Sequence, residues 1–348
     1  MRALFCRRAQ RAKYRSAQCV LWDAITPFDG SVNTEVAQTT SGLIRGRKLP
    51  SDPVDVREYL GIPFAAPPVG SLRFKPPVDS PEWRPRVRDA LANPSPCLQS
   101  TKIPYIPADW FGGGSEDCLA LNIWAPVQTP VRTLLPVIVW IHGGGFAAGG
   151  IGLNGYRGDR IAASGQVLVV SIQYRLGVFG WGVFVDSSTS PPSYVSNIGL
   201  LDQQTALRWV RDNIASFGGD PNAVTLFGNG AGSYSISLHL LIATSQTLFA
   251  QAILASGTTF QGADGPSLAP PYNLGTVKTL TDSVLAKVNC TTLECARALD
   301  PRVLLGAQAN ITDFTPVIDG VFILDDPLTL LYSGNVNLTH AIMIGTVH

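Results

Sequence analysis

The chain has 348 residues, of which 45% are hydrophobic and only 15% are charged, so it can bury a sizeable core and is not an intrinsically disordered protein. Its 34 glycines and 26 prolines predict many turns and argue against a helical bundle or a coiled coil. The net charge of +1 hides an asymmetry, because residues 1–22 contain six Lys/Arg and no acid. The remainder carries 20 basic and 25 acidic groups, which argues against a basic face that binds nucleic acid.

Residues 1–35 are predicted to be a separate basic segment. This segment lacks the apolar stretch of a secretory signal peptide, and its composition fits an organelle transit peptide, a mis-assigned start or a disordered arm. No apolar run in the chain approaches the roughly 18 residues needed to cross a bilayer, so we expect no membrane span. Residues 36–348 show no linker, internal repeat or change in composition, and we expect them to form one domain.

The first part of this domain is predicted to be rich in turns. Residues 36–79 read as short strands and turns, and the prolines within residues 61–70 favour an extended surface segment over a helix or a central strand. Residues 81–118 are predicted to form a long Pro-rich loop. Residues 119–126 are then predicted to form a strand.

The middle of the chain predicts a parallel sheet. Apolar, β-branched runs indicate buried strands at residues 136–141, 167–172 and 223–227, with a further strand at 250–255. Between the second and third strands, apolar residues recur through residues 197–214 with the spacing of an amphipathic helix. Strand, helix and strand in this order imply a right-handed crossover, so the predicted fold class is α/β with a mostly parallel twisted central sheet.

Cysteines and glycosylation sequons favour an oxidising compartment. Four of the six cysteines read as two loop-closing pairs, Cys97 with Cys118 and Cys290 with Cys295. Asn-x-Ser/Thr sequons occur at Asn289, Asn310 and Asn337. Together these features predict a secreted or extracellular disulfide-bonded glycoprotein, although no signal peptide is recognisable.

A glycine-rich turn joins the strand at 223–227 to a helix-like stretch at 234–241. The sequence Phe227-Gly-Asn-Gly-Ala-Gly-Ser233 has the layout of a nucleophile elbow, which displays one side chain between flanking glycines at the carboxyl end of a sheet. Here the central residue is Gly230, which has no hydroxyl group to act as a nucleophile. Ser233 and Ser235 are the nearest alternatives, but they lie on the following helix and we expect them to point away from the turn.

A second glycine-rich segment directly follows the strand at 136–141. His142-Gly-Gly-Gly-Phe146 matches a type of loop whose backbone N–H groups face a developing oxyanion. A plain tight turn would use the same glycines. The position of this loop ahead of an elbow favours the oxyanion interpretation.

At these residues the chain resembles the type-B carboxylesterases, the family of cholinesterases, carboxylesterases and fungal lipases on the α/β-hydrolase fold. The resemblance runs from about Val36 to the last residue. The motifs that carry it lie at residues 59–74, 115–122, 143–146, 174–180, 199–203 and 217–221.

The resemblance implies the α/β-hydrolase fold with helices on both faces of the sheet, and it assigns an oxyanion hole to Gly144, Gly145 and Ala231. It implies that the two cysteine pairs named above are family disulfides. It also implies two buried structural ion pairs, Arg73 with Glu116 and Arg175 with Asp202. No cofactor is expected, and no metal site is expected either, because no His/Cys/Asp/Glu cluster shows ligand spacing.

Two departures from the family pattern decide the expected activity. Gly230 stands where the family has its serine, and the preceding residue, which is usually acidic, is Asn229. The chain is also expected to stop just before the family's catalytic acid, so that the C-terminal part of the domain, including the catalytic histidine, is missing. Among the histidines of this chain, His142 belongs to the glycine loop and His239 is expected to be structural, while His340 and His348 do not occupy the family's base position.

We therefore expect residues 36–348 to be a partial carboxylesterase domain. By descent this domain is a carboxylic-ester hydrolase that works through an acyl-enzyme. With Gly230 in place of the serine we expect it to be inactive. The family's small ester substrate is then not turned over. The alternative is a non-enzymatic binding or adhesion protein similar to neuroligins, which also carry glycine at the nucleophile position. A damaged gene or an incomplete gene model is a third interpretation. No protein partner is predicted.

Overall fold

The computed structural model describes residues 34–100, 113–127, 133–259, 272–309, 311, 313–334 and 339–346. The basic segment predicted at residues 1–35 lies outside the described residues, except for its last two positions. The sequons at Asn310 and Asn337 and the terminal His348 also lie outside them.

A large mixed sheet carries most of the strands. The strands of the described residues are β1 (Thr34–Thr39), β2 (Gly42–Leu49), β3 (Val56–Pro63), β4 (Val87–Asp89), β5 (Ala120–Pro126), β6 (Leu135–Ile141), β7 (Leu168–Ile172), β8 (Phe184–Asp186), β9 (Ser193–Val195), β10 (Gly219–Asn229), β11 (Gln251–Ala255), β12 (Tyr272–Asn273), β13 (Val317–Ile318) and β14 (Ala341–Gly345). The order in the large sheet is β1-β2-β3-β5-β7-β6-β10-β11-β14, with β4 paired to β2. The strands predicted from the sequence therefore exist.

The helices lie between and after these strands. They are α1 (Asp159–Ala162), α2 (Gly177–Trp181), α3 (Ile198–Asn213), α4 (Ala231–His239), α5 (Ala243–Gln246), α6 (Leu274–Lys287), α7 (Leu293–Ala298), α8 (Pro301–Ala307) and α9 (Pro327–Tyr332). Short 3-10 helices cover Gly70–Leu72, Asn154–Tyr156 and Ile214–Phe217. Helix α3 coincides with the amphipathic segment predicted between the second and third buried strands.

The sheet has an antiparallel part and a parallel part. Strands β1, β2, β3 and β5 pair antiparallel, and β5 also pairs antiparallel with β7. From β7 onwards, the neighbours β6, β10, β11 and β14 all pair parallel. Because carboxyl ends of parallel strands meet at one edge of a sheet, the segments that follow β6 and β10 come together there. The α/β class with a mostly parallel sheet and helices is confirmed.

The core is built on the central strands. Every residue of β5 and of β7 is buried, and Trp124 of β5 is completely buried. The aromatic side chains of Tyr59, Tyr174 and Trp181 are also fully buried. Burial of this much apolar surface is the main term that stabilises the sheet.

The expectation that residues 61–70 lie on the surface is wrong for the beginning of that segment. Residues 61–63 complete β3, which lies between β2 and β5, and both Ile62 and Phe64 are buried. The β3–β5 ladder shifts register between Tyr59 and Ile62, and Gly61 in this irregular stretch has a φ of 75°. This irregularity places Pro63 at the end of the strand, where its missing N–H is tolerated.

Two disulfides close loops around this core. Cys97 and Cys118 are bonded with a Cα–Cα distance of 5.0 Å, and Cys290 and Cys295 are bonded with a distance of 5.6 Å. No helix of the described residues has both the length and the apolar character to cross a membrane. The described residues also contain no cluster of three or more His, Cys, Asp or Glu that could hold a metal ion.

Candidate active site

The turn between β10 and α4 has the backbone geometry of an elbow. Strand β10 ends at Asn229, α4 begins at Ala231, and Gly230 between them has φ 53° and ψ −120°. A Cβ built on Gly228 would lie 2.6 Å from the carbonyl carbon of Gly232, so neither of these flanking positions has room for a side chain. Close approach of strand and helix therefore requires the two flanking glycines.

The residue at the tip of the elbow has room but no side chain. A Cβ built on Gly230 would meet nothing within 4 Å, although its left-handed φ strains any other residue. The preceding residue, Asn229, is exposed. The tip of the turn therefore offers neither a nucleophilic atom nor a carboxylate.

The glycine loop after β6 lies directly against this elbow. A Cβ on Gly143 would be 2.5 Å from the carbonyl oxygen of Asn229, and a Cβ on Gly232 would clash with the carbonyl oxygen of Ile141. Gly144 and Gly145 have φ values of 115° and 61°. These conformations and contacts hold the loop next to the turn between β10 and α4.

The backbone N–H groups at this junction are available. Among the described residues, the amides of Gly144 and Gly145 donate no hydrogen bond, whereas the Gly144 carbonyl accepts from Ala147 and Ala148 at 3.1 and 3.0 Å. Ala231 is the first residue of α4, where helical N–H groups lack partners within the helix. Such unpaired donors, near the positive end of a helix dipole, can stabilise negative charge on a ligand oxygen.

The two serines nearest the elbow are committed to other contacts. Ser233 is fully buried, and its hydroxyl donates to the carbonyl oxygen of Gly257. Ser235 is fully buried as well, and its Oγ donates to the Ala231 carbonyl at 2.9 Å. Neither hydroxyl is accessible to a substrate, which agrees with the expectation that both point away from the tip.

His142, at the start of the glycine loop, is a structural side chain. Its Nδ1 lies 2.8 Å from the Gly143 carbonyl, and because a carbonyl only accepts, Nδ1 carries the proton. The ring stacks on Tyr174 with a centroid distance of 4.4 Å, and the Tyr174 hydroxyl donates to the His142 carbonyl at 2.7 Å. Burial lowers the pKa of His142 to about 4, so the ring is neutral near pH 7.

His239, at the end of α4, belongs to a buried hydrogen-bond chain. Its Nε2 lies 3.0 Å from Gln203 Oε1 and its Nδ1 lies 2.9 Å from Ser245 Oγ. The Nε2 of Gln203 donates in turn to Ser235 Oγ at 3.0 Å, which connects α3 to α4. Desolvation lowers the pKa of His239 to about 3, and with both ring nitrogens bonded it is not a free base.

His340 precedes the edge strand β14 and is also bonded. Its Nε2 lies 2.9 Å from the Gln246 carbonyl and 3.1 Å from the Phe249 carbonyl, so this nitrogen donates to both. The ring packs on Phe249 at a centroid distance of 4.5 Å. The three described histidines thus all take part in internal contacts rather than facing an open elbow.

Two buried ion pairs fix the segments around the site. Arg73 forms a bidentate pair with Glu116, at 2.5 and 2.8 Å, and its Nη1 also donates to the Leu299 carbonyl at 2.6 Å, just after α7. Arg175 pairs with the buried Asp202 of α3 at 2.6 and 2.8 Å. Neither ion pair contacts the elbow. Their role is therefore structural: they hold the segments that carry them in place.

A third buried carboxylate was not predicted. Glu58 of β3 is completely buried and accepts from Arg47 at 2.6 Å, Arg157 at 2.6 Å and Trp124 Nε1 at 2.8 Å. Strand alternation provides a signal that could have found it, because Glu58 shares a face with Val56 and Leu60, which are both buried.

Comparison with known proteins gives a consistent family match. A model of the carboxylesterase family matches residues 33–348. Over 355 residues the chain is 37% identical to a cholinesterase from Mus musculus, covering 94% of this chain and 56% of that protein. It is 38% identical to an acetylcholinesterase from Bungarus fasciatus, and the match covers 89% of this chain and 52% of that protein. It is also 38% identical to an acetylcholinesterase from Electrophorus electricus, and that match covers 88% of this chain and 50% of that protein. The chain therefore spans about half the length of the curated relatives it matches.

Proposed function

The chain belongs to the carboxylesterase family, and on that basis we propose that it is an ester-hydrolase relative that does not turn over esters. The observation that carries this proposal is Gly230, which lies at the tip of an otherwise intact elbow and has no side chain. Formation of an acyl-enzyme needs a nucleophilic atom at that point. The buried hydroxyls of Ser233 and Ser235 do not supply it.

In this proposal the N–H groups of Gly144, Gly145 and Ala231 remain as an oxyanion hole for the carbonyl oxygen of a small ester. The support is the contact between the glycine loop and the elbow, together with the left-handed conformations that only glycine adopts freely. Such a hole stabilises negative charge but accelerates ester hydrolysis only modestly when no nucleophile and base accompany it. The ester is a ligand of the site rather than a substrate.

In this proposal none of the histidines in the described part of the chain serves as a general base for the elbow. His239 uses both ring nitrogens in internal hydrogen bonds, while His142 and His340 each use one, and the remaining nitrogen of each of these two rings is buried in the protein. A serine hydroxyl without a neighbouring base stays protonated and is weakly nucleophilic near pH 7. We therefore expect that Gly230→Ser alone does not restore turnover.

The test is hydrolysis of p-nitrophenyl acetate by the purified chain, by Gly230→Ser and by Gly230→Ala. The alanine variant is the matched control, because it adds the same Cβ in the same strained backbone without a hydroxyl. We expect all three proteins to give the same low rate, with the acetylcholinesterase of Bungarus fasciatus as the positive control. A wild-type rate well above that of buffer, retained through further purification, would contradict the proposal.

The alternative of a non-enzymatic binding protein has one supporting feature. A groove of about 690 Å³ is lined by residues of the β1–β2 turn, of the 76–82 segment and of α3, and none of its lining residues belongs to the elbow or the glycine loop. If the groove is a binding site, Arg208→Glu, which reverses the charge of an exposed lining residue, should weaken the binding of a partner identified with the wild-type chain. Unchanged binding of that partner would remove the support.

We also propose that the protein is secreted. The two disulfides support an oxidising compartment, since such bonds rarely persist in the cytosol. Mass spectrometry of the protein purified from its natural source, without reductant, should find both bonds intact.

A further inference from the structure

The sequon Asn289-Cys290-Thr291 lies at the end of α6, where its backbone is fixed. The helix ends at Lys287, and Asn289 follows with a φ of 54°. The Asn289 N–H donates to the Ala286 carbonyl at 3.1 Å and the Cys290 N–H to the Leu285 carbonyl at 2.9 Å. This pair of bonds around a left-handed residue is a Schellman motif, in which asparagine is tolerated in place of glycine.

A disulfide also fixes the middle residue of the sequon. Cys290 is only 3% exposed and is bonded to Cys295 of α7. The Cys295 N–H donates to Thr292 Oγ1 at 3.2 Å, which caps that helix. The disulfide therefore ties the sequon to the first turn of α7.

The outer two residues of the sequon remain accessible. Asn289 and Thr291 are both exposed, while the cysteine between them is buried. The enzyme that transfers an N-linked glycan must bind all three residues in its own active site, so a folded sequon has to leave its surroundings first. Here that requires the last turn of α6 to open and the buried Cys290 to come free of Cys295.

We infer that Asn289 accepts an N-linked glycan only while Cys290 and Cys295 are still unbonded, so that the glycan and the disulfide form in a fixed order. The inference rests on the proposed secretory location. Once the glycan is attached, folding buries only the cysteine and leaves the exposed Asn289 side chain room for it. A chain whose disulfide closes first stays unmodified at this site.

Glycan transfer and disulfide formation both balance with reagents that the secretory lumen supplies. In the first, Asn289 Nδ2 bonds to the anomeric carbon of a lipid-linked oligosaccharide, the bond from that carbon to the lipid diphosphate breaks, and the amide loses a proton. In the second, the two thiols lose two protons and two electrons to the disulfide of a lumenal oxidoreductase, which becomes a dithiol. The two reactions compete for the same segment.

In the test, the full chain is expressed behind a cleavable signal peptide. A C-terminal tag carries its own sequon, and glycosylation of that tag shows that the chain has entered the secretory lumen. Glycan occupancy at each asparagine is then measured by mass spectrometry after enzymatic deglycosylation of the total chain, so the measurement does not require a folded product. We compare wild type with Cys295→Ser, which leaves the sequon intact but removes the disulfide. Cys118→Ser is the matched control, because it removes the other disulfide and disturbs folding away from this sequon.

We expect occupancy at Asn289 to rise by about twofold or more in Cys295→Ser and not in Cys118→Ser. The sequons at Asn310 and Asn337, which have no cysteine at the middle position, should not follow this pattern. Equal occupancy at Asn289 in wild type and Cys295→Ser, whether complete or zero, with the tag glycosylated, would overturn the inference. An equal rise in both cysteine variants would also overturn it, because slower folding rather than the Cys290–Cys295 bond would then be the cause. None of these results depends on ester turnover, so the inference and the proposed inactivity fail separately.

Discussion

The α-carbon of Gly143 lies so close to the carbonyl oxygen of Asn229 that a Cβ built on Gly143 would be 2.5 Å from that oxygen. This contact joins the loop after β6 to the last residue of β10. It brings two chain segments that are more than 80 residues apart in sequence into one site. The elbow and the glycine loop are therefore one packed unit.

Gly143→Ala should destabilise the fold, because neither the strand end nor the loop can move away without breaking the pairing of β6 with β10. We expect a loss of about 2 kcal/mol in the free energy of unfolding, as for other overpacked sites. Urea denaturation followed by circular dichroism measures it. Gly306→Ala in α8 is the control, since a Cβ there meets nothing within 4 Å and should stabilise by up to about 1 kcal/mol. Equal stability of Gly143→Ala and wild type would contradict the packed junction.

Much of the sheet could be predicted because its strands have a strong local pattern. The run at residues 136–141 forms β6 (Leu135–Ile141), and the helix predicted at 197–214 forms α3 (Ile198–Asn213). The elbow was also recognisable, because local geometry requires glycine at Gly228 and Gly230, although Gly232 is required by its contact with the distant Ile141 carbonyl. Local sequence was sufficient wherever the constraint itself was local.

Long-range partners could not be read in the same way. The acceptors of Arg73 include carbonyl groups near α7, more than 220 residues away, and nothing in the sequence around Arg73 names them. The buried Glu58 likewise accepts a hydrogen bond from Arg157, which lies in the segment before α1 and is 99 residues away in sequence. The irregularity at Gly61 that admits Pro63 into the sheet likewise arises from pairing with β5.

Glu116→Gln should be strongly destabilising. The change leaves the guanidinium of Arg73, whose side chain is 6% exposed, without a countercharge. Loss of one partner of a buried ion pair costs about 3 kcal/mol or more. Thermal or urea unfolding measures the effect, with Asp282→Asn in the exposed Lys278–Asp282 pair as a control that should change little. If both variants unfold alike, the buried pair does not stabilise this part of the fold.

Stability should fall as the pH drops below 6.5, in part because of His239. Burial lowers its pKa in the folded state from 6.5 to about 3, so below pH 6.5 the unfolded chain binds a proton that the folded chain does not. The contribution of this histidine is therefore full above pH 6.5 and is lost as the pH falls towards 3. Between pH 7 and pH 5 we expect a loss of about 2 kcal/mol from this one group.

The measurement is urea denaturation at pH 7 and pH 5 for wild type and His239→Gln. Glutamine does not titrate, so its fall in stability between the two pH values should be smaller than that of wild type by about 2 kcal/mol. Burial also lowers the pKa of His142, to about 4. Because both proteins contain His142, its contribution to the pH dependence of stability cancels in the comparison. The same pH dependence in both proteins would show that His239 is not buried as a neutral ring.

The central claim is that the elbow carries no nucleophile, and covalent labelling tests it most directly. The purified chain is incubated with a fluorophosphonate, which reacts with activated serines, and intact-mass and peptide mass spectrometry follow, with the acetylcholinesterase of Bungarus fasciatus labelled in parallel as the positive control. We predict no adduct on the wild-type chain, since Gly230 offers no hydroxyl and Ser233 and Ser235 are buried. A stoichiometric adduct on Ser233 or Ser235 of the wild-type chain would contradict the claim and identify a nucleophile at the elbow.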